Sequence, residues 1–182
     1  MDLLIRRPER KDFASICQLF TSTVNNNFQV ENIIDPSGQA AAAVIQNLVD
    51  ALELDFQSHG QEEYFLIATS PADTIYGTIA YGPAGPLIHQ HLPTYQAHIP
   101  EVKCVYILPQ FQKRGIGTRL FQAMMQELTQ NQITQFYLDC GFRASQPFWR
   151  KKLGSPTMIL NNYWGKGQDH LIWQKPIQTF QL

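Results

Sequence analysis

The sequence predicts an α/β fold, a single domain over 1–182 in which strands and helices alternate along the chain. Three observations carry that expectation. Apolar, β-branched or aromatic runs of strand length occur at Tyr64 to Thr69, Thr74 to Tyr81, Glu101 to Leu108 and Gln135 to Cys140. Amphipathic stretches of helical period lie around them; the clearest places Ile116, Leu120, Ala123, Met124 and Leu128 at i, i+4, i+7, i+8 and i+12. The two patterns meet where the run Val105-Tyr106-Ile107-Leu108-Pro109 gives way to Gln112-Lys113-Arg114-Gly115-Ile116-Gly117, a strand end, a glycine turn and a helix start side by side.

In chain order, Leu3 to Arg6 reads as a short strand. Pro8 opens a helix with Phe13, Ile16, Cys17, Phe20 and Val24 on one stripe. Val24 to Gly38 is polar and Asn-rich and reads as a loop. A second helix begins near Gln39, with Ala41, Val44, Ile45, Leu48, Val49 and Leu52 on its buried face. Pro71-Ala72-Asp73 turns the next two strands into a hairpin. Gly82 to Pro100 holds four prolines and two glycines and reads as a long structureless connection, the kind of loop that often acts as a lid. After the central strand, the glycine turn and its helix comes the strand at Gln135. Ser145 caps a short helix with Pro147 in its first turn, and Gly154-Ser155-Pro156 ends it. Two last strands fall near Met158 to Leu160 and His170 to Gln174. The order is β-α-α-β-β-β-α-β-α-β-β.

Composition narrows the function. Apolar residues make up 44% and charged residues 16%, as expected of a globular chain, and the net charge of −1 with no basic block favours neither nucleic acid nor an anionic membrane as partner. No apolar run approaches the roughly 18 residues of a membrane span, and the charges of Met1-Asp2-Leu3-Leu4-Ile5-Arg6-Arg7 argue against a secretory signal, so a cytoplasmic protein is expected. Cys17, Cys104 and Cys140 form no Cys-x-x-Cys pair, and His89, His91 and His98 lack ligand spacing, so neither a disulfide framework nor a metal site is expected. Cys17 falls on an apolar helix stripe and reads as core.

The glycine turn is the chemical feature. A helix start exposes unpaired N–H groups and the positive end of the helix dipole. Gly115 and Gly117 have no Cβ, so a phosphate can approach the backbone, and Lys113 and Arg114 add two cations. The spacing fits neither a Walker loop nor a Gly-x-Gly-x-x-Gly dinucleotide fingerprint. Gln112, Gly115 and Gly117 resemble the Gln/Arg-x-x-Gly-x-Gly/Ala signature of the GNAT superfamily of acyl-CoA-dependent N-acyltransferases. Val105, Ile107 and Pro109 match the apolar-x-apolar-x-Pro strand that precedes it there.

That resemblance implies a central mixed sheet flanked by helices, with two splayed parallel strands, here 101–108 and 135–140, holding acetyl-CoA as the acyl donor. It implies that the pantetheine arm pairs with Val105, Tyr106 and Ile107, and that the pyrophosphate rests on the amides of Lys113, Arg114, Gly115, Ile116, Gly117 and Thr118. Gln112 is the side-chain contact at the cradle edge; the Asn that relatives often place before the next helix is absent, with Phe142 or Ser145 near its place and Ser145 the expected cofactor contact. Glu101 stands where a base glutamate stands in the histone-acetyltransferase branch; the other reading is a solvated glutamate closing a loop. The chain departs from the family at the acid. Where many relatives have a Tyr in Phe-Tyr-x-x-x-Gly, it reads Phe148-Trp149-Arg150-Lys151-Lys152-Leu153-Gly154. Tyr163 and Tyr106 are the remaining candidate acids, with packed aromatics as the alternative, and water can also protonate a thiolate.

The acceptor is a small amine, an amino acid, or a peptide or protein amine; the protein is a monomer or homodimer. Asp35, Glu31 and Glu53 are candidate partners for a cationic amine. Aromatics of Pro93-Thr94-Tyr95 and Asn162-Tyr163-Trp164-Gly165 are candidate pocket walls. A binding-only acyl-CoA sensor on the same fold is the alternative function, favoured by the missing Tyr and Asn and opposed by Glu101.

Overall fold

The computed structural model describes residues 2–177, so the two ends of the expected domain, Met1 and 178–182, lie outside it. Seven strands form one sheet in the order β1-β2-β3-β4-β5-β7-β6: β1 (Leu4–Arg6), β2 (Tyr64–Thr69), β3 (Ile75–Gly82), β4 (Glu101–Ile107), β5 (Gln135–Cys140), β6 (Met158–Leu160) and β7 (His170–Pro176). Every neighbouring pair is antiparallel except β4 and β5. That parallel pair meets at a single register point, Glu101 opposite Tyr137, and then the strands part. The expected mixed sheet with a splayed parallel pair is the observed one.

Strand alternation sends side chains to two faces. Leu66, Val102, Phe136, Leu138 and Trp173 meet α4 (Ile116–Gln130) and α5 (Gln146–Leu153) on one side. Phe65, Ile67 and Ala80 meet α1 (Phe13–Glu31) and α2 (Gln39–Gln57) on the other, where Tyr137 and Ile172 pack with Ile88 and Leu92 of the α3 (Pro86–His91) region. The helical period of α4 buries Ile116, Leu120, Phe121, Met124, Met125 and Leu128. At roughly 1.5–3 kcal/mol per fully buried large apolar side chain, this face outweighs any propensity term in holding α4 on the sheet.

Three expectations need correction. The stretch expected as a loop from Val24 is largely helix, because α1 runs on to Glu31 and ends at Asn32 in the left-handed region (φ 54°). Phe28 and Glu31 continue the inner stripe one and two turns beyond Val24, and that packing overrides the weak helix propensity of Asn25-Asn26-Asn27. The connection from Gly82 to Pro100 contains α3, which Pro86 opens and whose Ile88 is fully buried. Cys17 is half-buried at the edge of its stripe rather than core.

One irregularity shapes the centre. Thr78 of β3 pairs with Tyr106 and Ala80 with Lys103, so β4 carries one extra residue, and Cys104 takes φ 53°. This bulge bends β4 where it leaves β5. Thr78 Oγ1 donates to the Cys104 carbonyl at 2.8 Å, satisfying the acceptor that the bulge displaces.

Candidate active site

The turn before α4 is built as its sequence requires. Lys113 and Gly115 both take left-handed φ, 59° and 81°, and Gly115 is the N-cap. The amides of Lys113 to Thr118 meet no acceptor among the described residues, leaving a row of donors at the positive end of a fifteen-residue helix. Gln112 Nε2 donates to the Ile107 carbonyl at 3.0 Å, tying the turn to the end of β4.

A cavity of 420 Å³ opens over this turn. It brings together Val105, Tyr106, Ile107, Gln112, Lys113, Gly115, Ile116, Gly117, Thr118 and Ser145, with Thr23 and Asn27 of α1 facing them. Arg114 does not line it; its guanidinium lies 5.5 Å from the centre of the Phe111 ring. Ser145 occupies the N-cap position of α5, yet its hydroxyl makes no cap bond, contrary to the expected cap. The β4 edge facing this cavity is the one that β5 abandons after Glu101. An extended chain with amide groups can pair there as a strand would, while a phosphate seats on the helix start.

Where the strands still touch, the face of the sheet toward α1 and α3 carries a polar cluster. Glu101 is 5% exposed and accepts from the Gly85 amide at 2.7 Å. Burial, reinforced by the charge of Asp139, pushes its carboxyl up to about 8, against the opposing pull of the Gly85 amide and Lys103. Lys103 Nζ is held at 2.6 Å from Glu63 Oε1, a carboxyl that burial also raises. Glu101 lines neither the 420 Å³ cavity nor the one described next.

The second cavity, 470 Å³, lies beyond Asn27 on the same side. Phe28, Ile33, Val44, Phe142 and Trp164 wall it, and Glu31 and His170 are its ionisable members. Glu31 Oε2 accepts from Arg143 Nε at 2.9 Å and Oε1 from the Ala144 amide at 2.7 Å, so both oxygens are engaged. His170 Nδ1 accepts from Trp164 Nε1 at 3.1 Å, which places the ring proton on Nε2. Asp139 Oδ2 sits 3.2 Å from that nitrogen, close but out of line for a hydrogen bond. Gly141 permits the Trp164–His170 contact, since a Cβ there would come within 2.9 Å of the indole nitrogen.

Several expected contributors are placed elsewhere. Asp35 accepts from the Ala41 amide at 2.9 Å and caps α2, which holds its carboxyl low, and Glu53 pairs with Arg10 at 2.9 Å. Together with Glu31, all three carboxylates considered for a cationic amine are thus committed to other groups. Trp149 is buried edge-on against Phe121 and Phe148. Burial raises the Tyr106 phenol well above its ordinary value, which makes it a poorer proton donor. Tyr163 is 40% exposed, packs against His91, Trp164 and His170, and lines neither cavity. Tyr95 packs with Tyr137 in the core near α3, whereas Trp164 does wall a pocket. Cys104 contributes its carbonyl to the bulge contact, and its thiol is pushed up by burial. Among the described residues, no three His, Cys, Asp or Glu side chains converge as a metal site. Asp139, His170 and Phe28 went unnoticed in the sequence, and Phe142 was considered only near the place of the relatives' Asn, because nothing in their spacing brings 28, 142 and 170 together.

An open strand edge ending at a bare helix N-terminus defines a protein suited to an extended, phosphorylated co-substrate. The chain belongs to the acetyltransferase (GNAT) family, which residues 31–154 match, and it is accordingly an acyltransferase of the acetyl-CoA-dependent class. No curated protein sequence matches it significantly. Among solved structures it is similar to a GNAT-family acetyltransferase from Desulfovibrio desulfuricans (20% identity, TM-score 0.68, 97% of this chain and 100% of that one). It is similar to the PaiA N-acetyltransferase of Thermoplasma acidophilum, solved with coenzyme A (15%, 0.69, 97% and 99%), and to yncA of Salmonella typhimurium, solved with acetyl-CoA (16%, 0.67, 100% and 98%). At these identities the likeness is one of fold.

Proposed function

We propose that the protein is an N-acetyltransferase, acting as a single domain, that moves the acetyl group of acetyl-CoA to a primary amine by direct attack in a ternary complex. The observation that carries this reading is the row of unpaired amides from Lys113 to Thr118, set against the β4 edge that β5 leaves open. The diphosphate of the co-substrate rests on those amides with Lys113 beside them, and its pantetheine arm pairs along Val105 to Ile107. Two of the fold relatives were solved with coenzyme A or acetyl-CoA, in keeping with this use of the cleft.

The chemistry then needs a proton acceptor, because an alkylammonium has no lone pair. Glu101 takes that proton through a water; its raised carboxyl pKa brings its basicity closer to that of an amine. The free amine attacks the thioester carbonyl, the C–N bond forms, and the C–S bond breaks. The second nitrogen proton leaves as the amide forms and neutralises the thiolate by way of solvent. Tyr163 has no obligatory part in this scheme. Release of CoA thiol in the presence of an amine panel tests the proposal. Thiol appearing in step with N-acetylated product supports it, whereas acetyl-CoA binding with no thiol release across the panel indicates a binding-only protein.

A further inference from the structure

The second cavity bears on what the enzyme acetylates, and the argument rests on the acetyltransferase reading. The cavity adjoins the cofactor cleft through two shared segments. Asn27 faces the cleft and Phe28 the cavity; Phe142 walls the cavity and Ala144 the cleft, with Glu31 bonded to the Ala144 amide between them. Its walls are apolar: Phe28, Ile33, Val44, Phe142 and Trp164. Exposed apolar side chains continue outward at its rim, with Val30 58%, Ile34 89% and Trp164 54% exposed.

The polar inventory is equally informative. Glu31 has both oxygens occupied, by Arg143 and the Ala144 amide, and the Nδ1 of His170 is taken by Trp164. Asp35 and Glu53 serve α2 and Arg10. Asp139, 26% exposed beside the strand junction, makes no hydrogen bond among the described residues, but it lies 3.2 Å from His170 Nε2 and lines neither cavity. The reacting nitrogen attacks as the free amine and needs no carboxylate beside it. A further nitrogen, charged and buried against these walls, would lie without a free counter-charge, which is strongly unfavourable.

We infer that the 470 Å³ cavity holds the body of the acceptor, and that the acceptor is a monoamine on an apolar, ring-sized body, such as an arylalkylamine, rather than a polyamine or aminoglycoside. The amine nitrogen lies toward the cleft and the parting strands, and the ring lies between Phe28, Phe142 and Trp164.

The test is kcat/KM for thiol release with ethylamine, butylamine, phenethylamine, putrescine, spermidine and a short polar peptide, run alongside acetyl-CoA affinity. Phenethylamine should exceed ethylamine by at least about tenfold, as expected when a hydrophobic pocket is filled, and should exceed both polyamines and the peptide. Ala40→Phe fills the cavity from the exposed start of α2 and should raise the phenethylamine KM about tenfold with acetyl-CoA affinity unchanged. Val44→Asp places a carboxylate in the wall and should shift preference toward putrescine. Turnover that favours polyamines or the peptide, or an Ala40→Phe enzyme with unaltered phenethylamine KM, overturns the inference and leaves the acetyltransferase reading intact. Absence of acetyl-CoA binding by the parent overturns the underlying reading itself.

Discussion

Glu31, on the last turn of α1, and Arg143, in the loop after β5, are joined by a 2.9 Å charge-assisted bond across the boundary of the two cavities. The carboxylate is 5% exposed, and its other oxygen holds the Ala144 amide. A carboxylate at a helix C-terminus opposes the helix dipole, so this pairing offsets a local cost and pins the loop that carries Ser145.

Replacing Glu31 by Ala should lower stability by about 2 kcal/mol, the scale of a lost charge-assisted bond with a buried amide left unpaired. The measurement is a urea midpoint at constant m-value. The same change should raise KM for acetyl-CoA, because Ala144 and Ser145 line its cleft. A variant as stable as the parent would show that the Arg143 contact is incidental.

Glu101 sets two pH dependences. Its folded-state carboxyl lies at about 8, above the ordinary 4.5, so the stability that it contributes is present below pH 4.5 and lost as pH rises through 8. Glu101→Gln should therefore lose less stability between pH 5 and pH 9 than the parent does. In kinetics, the parent's kcat/KM should climb through about pH 8 as the carboxyl ionises. The variant should lack that limb and fall about a hundredfold at its plateau. An unchanged pH–rate profile would remove Glu101 from proton transfer.

The two glycines of the cradle should respond differently. Gly115 takes φ 81° with open space around its Cα, so Gly115→Ala adds backbone strain of about 1 kcal/mol without a clash. Gly117 is helical, and an added Cβ would meet Phe148 at 3.6 Å and Ile107 at 3.9 Å, ordinary contacts. Gly117→Ala should be neutral or stabilising by up to about 1 kcal/mol. Thermal unfolding of the two variants settles the order.

Tyr163→Phe should change kcat less than about threefold, since a general acid is ordinarily worth a hundredfold or more. Its hydroxyl lies outside both cavities. A loss of a hundredfold would instead make it the proton donor to the thiolate.

The parts of this fold that local pattern dictates were legible in the sequence. The apolar runs of β2 and β3, the stripe of α4 and the glycine turn each depend on residues within one element. The extension of α1 through Asn25-Asn26-Asn27 was not, because its support comes from Phe28 against Phe142 and Glu31 against Arg143, more than a hundred residues away. The bulge at Cys104 carries no glycine or asparagine to announce it. The cleft before α4 was readable because most of its lining is one contiguous stretch with a distinctive turn. The second cavity was not, since it is assembled from α1, α2, the loop after β5 and the β6–β7 connection, and its character emerges only when Glu31 and Asp35 are seen to be engaged.

The central claim is that an acyl-CoA diphosphate seats on the bare amides opening α4. Calorimetric titration of acetyl-CoA into the parent and into Gly117→Trp tests it most directly. The parent should bind, and the tryptophan variant should keep the parent's unfolding transition while giving no binding heat, its indole filling the cleft beside Ile107 and Phe148. A silent parent, or a tryptophan variant of undiminished affinity, would contradict the account.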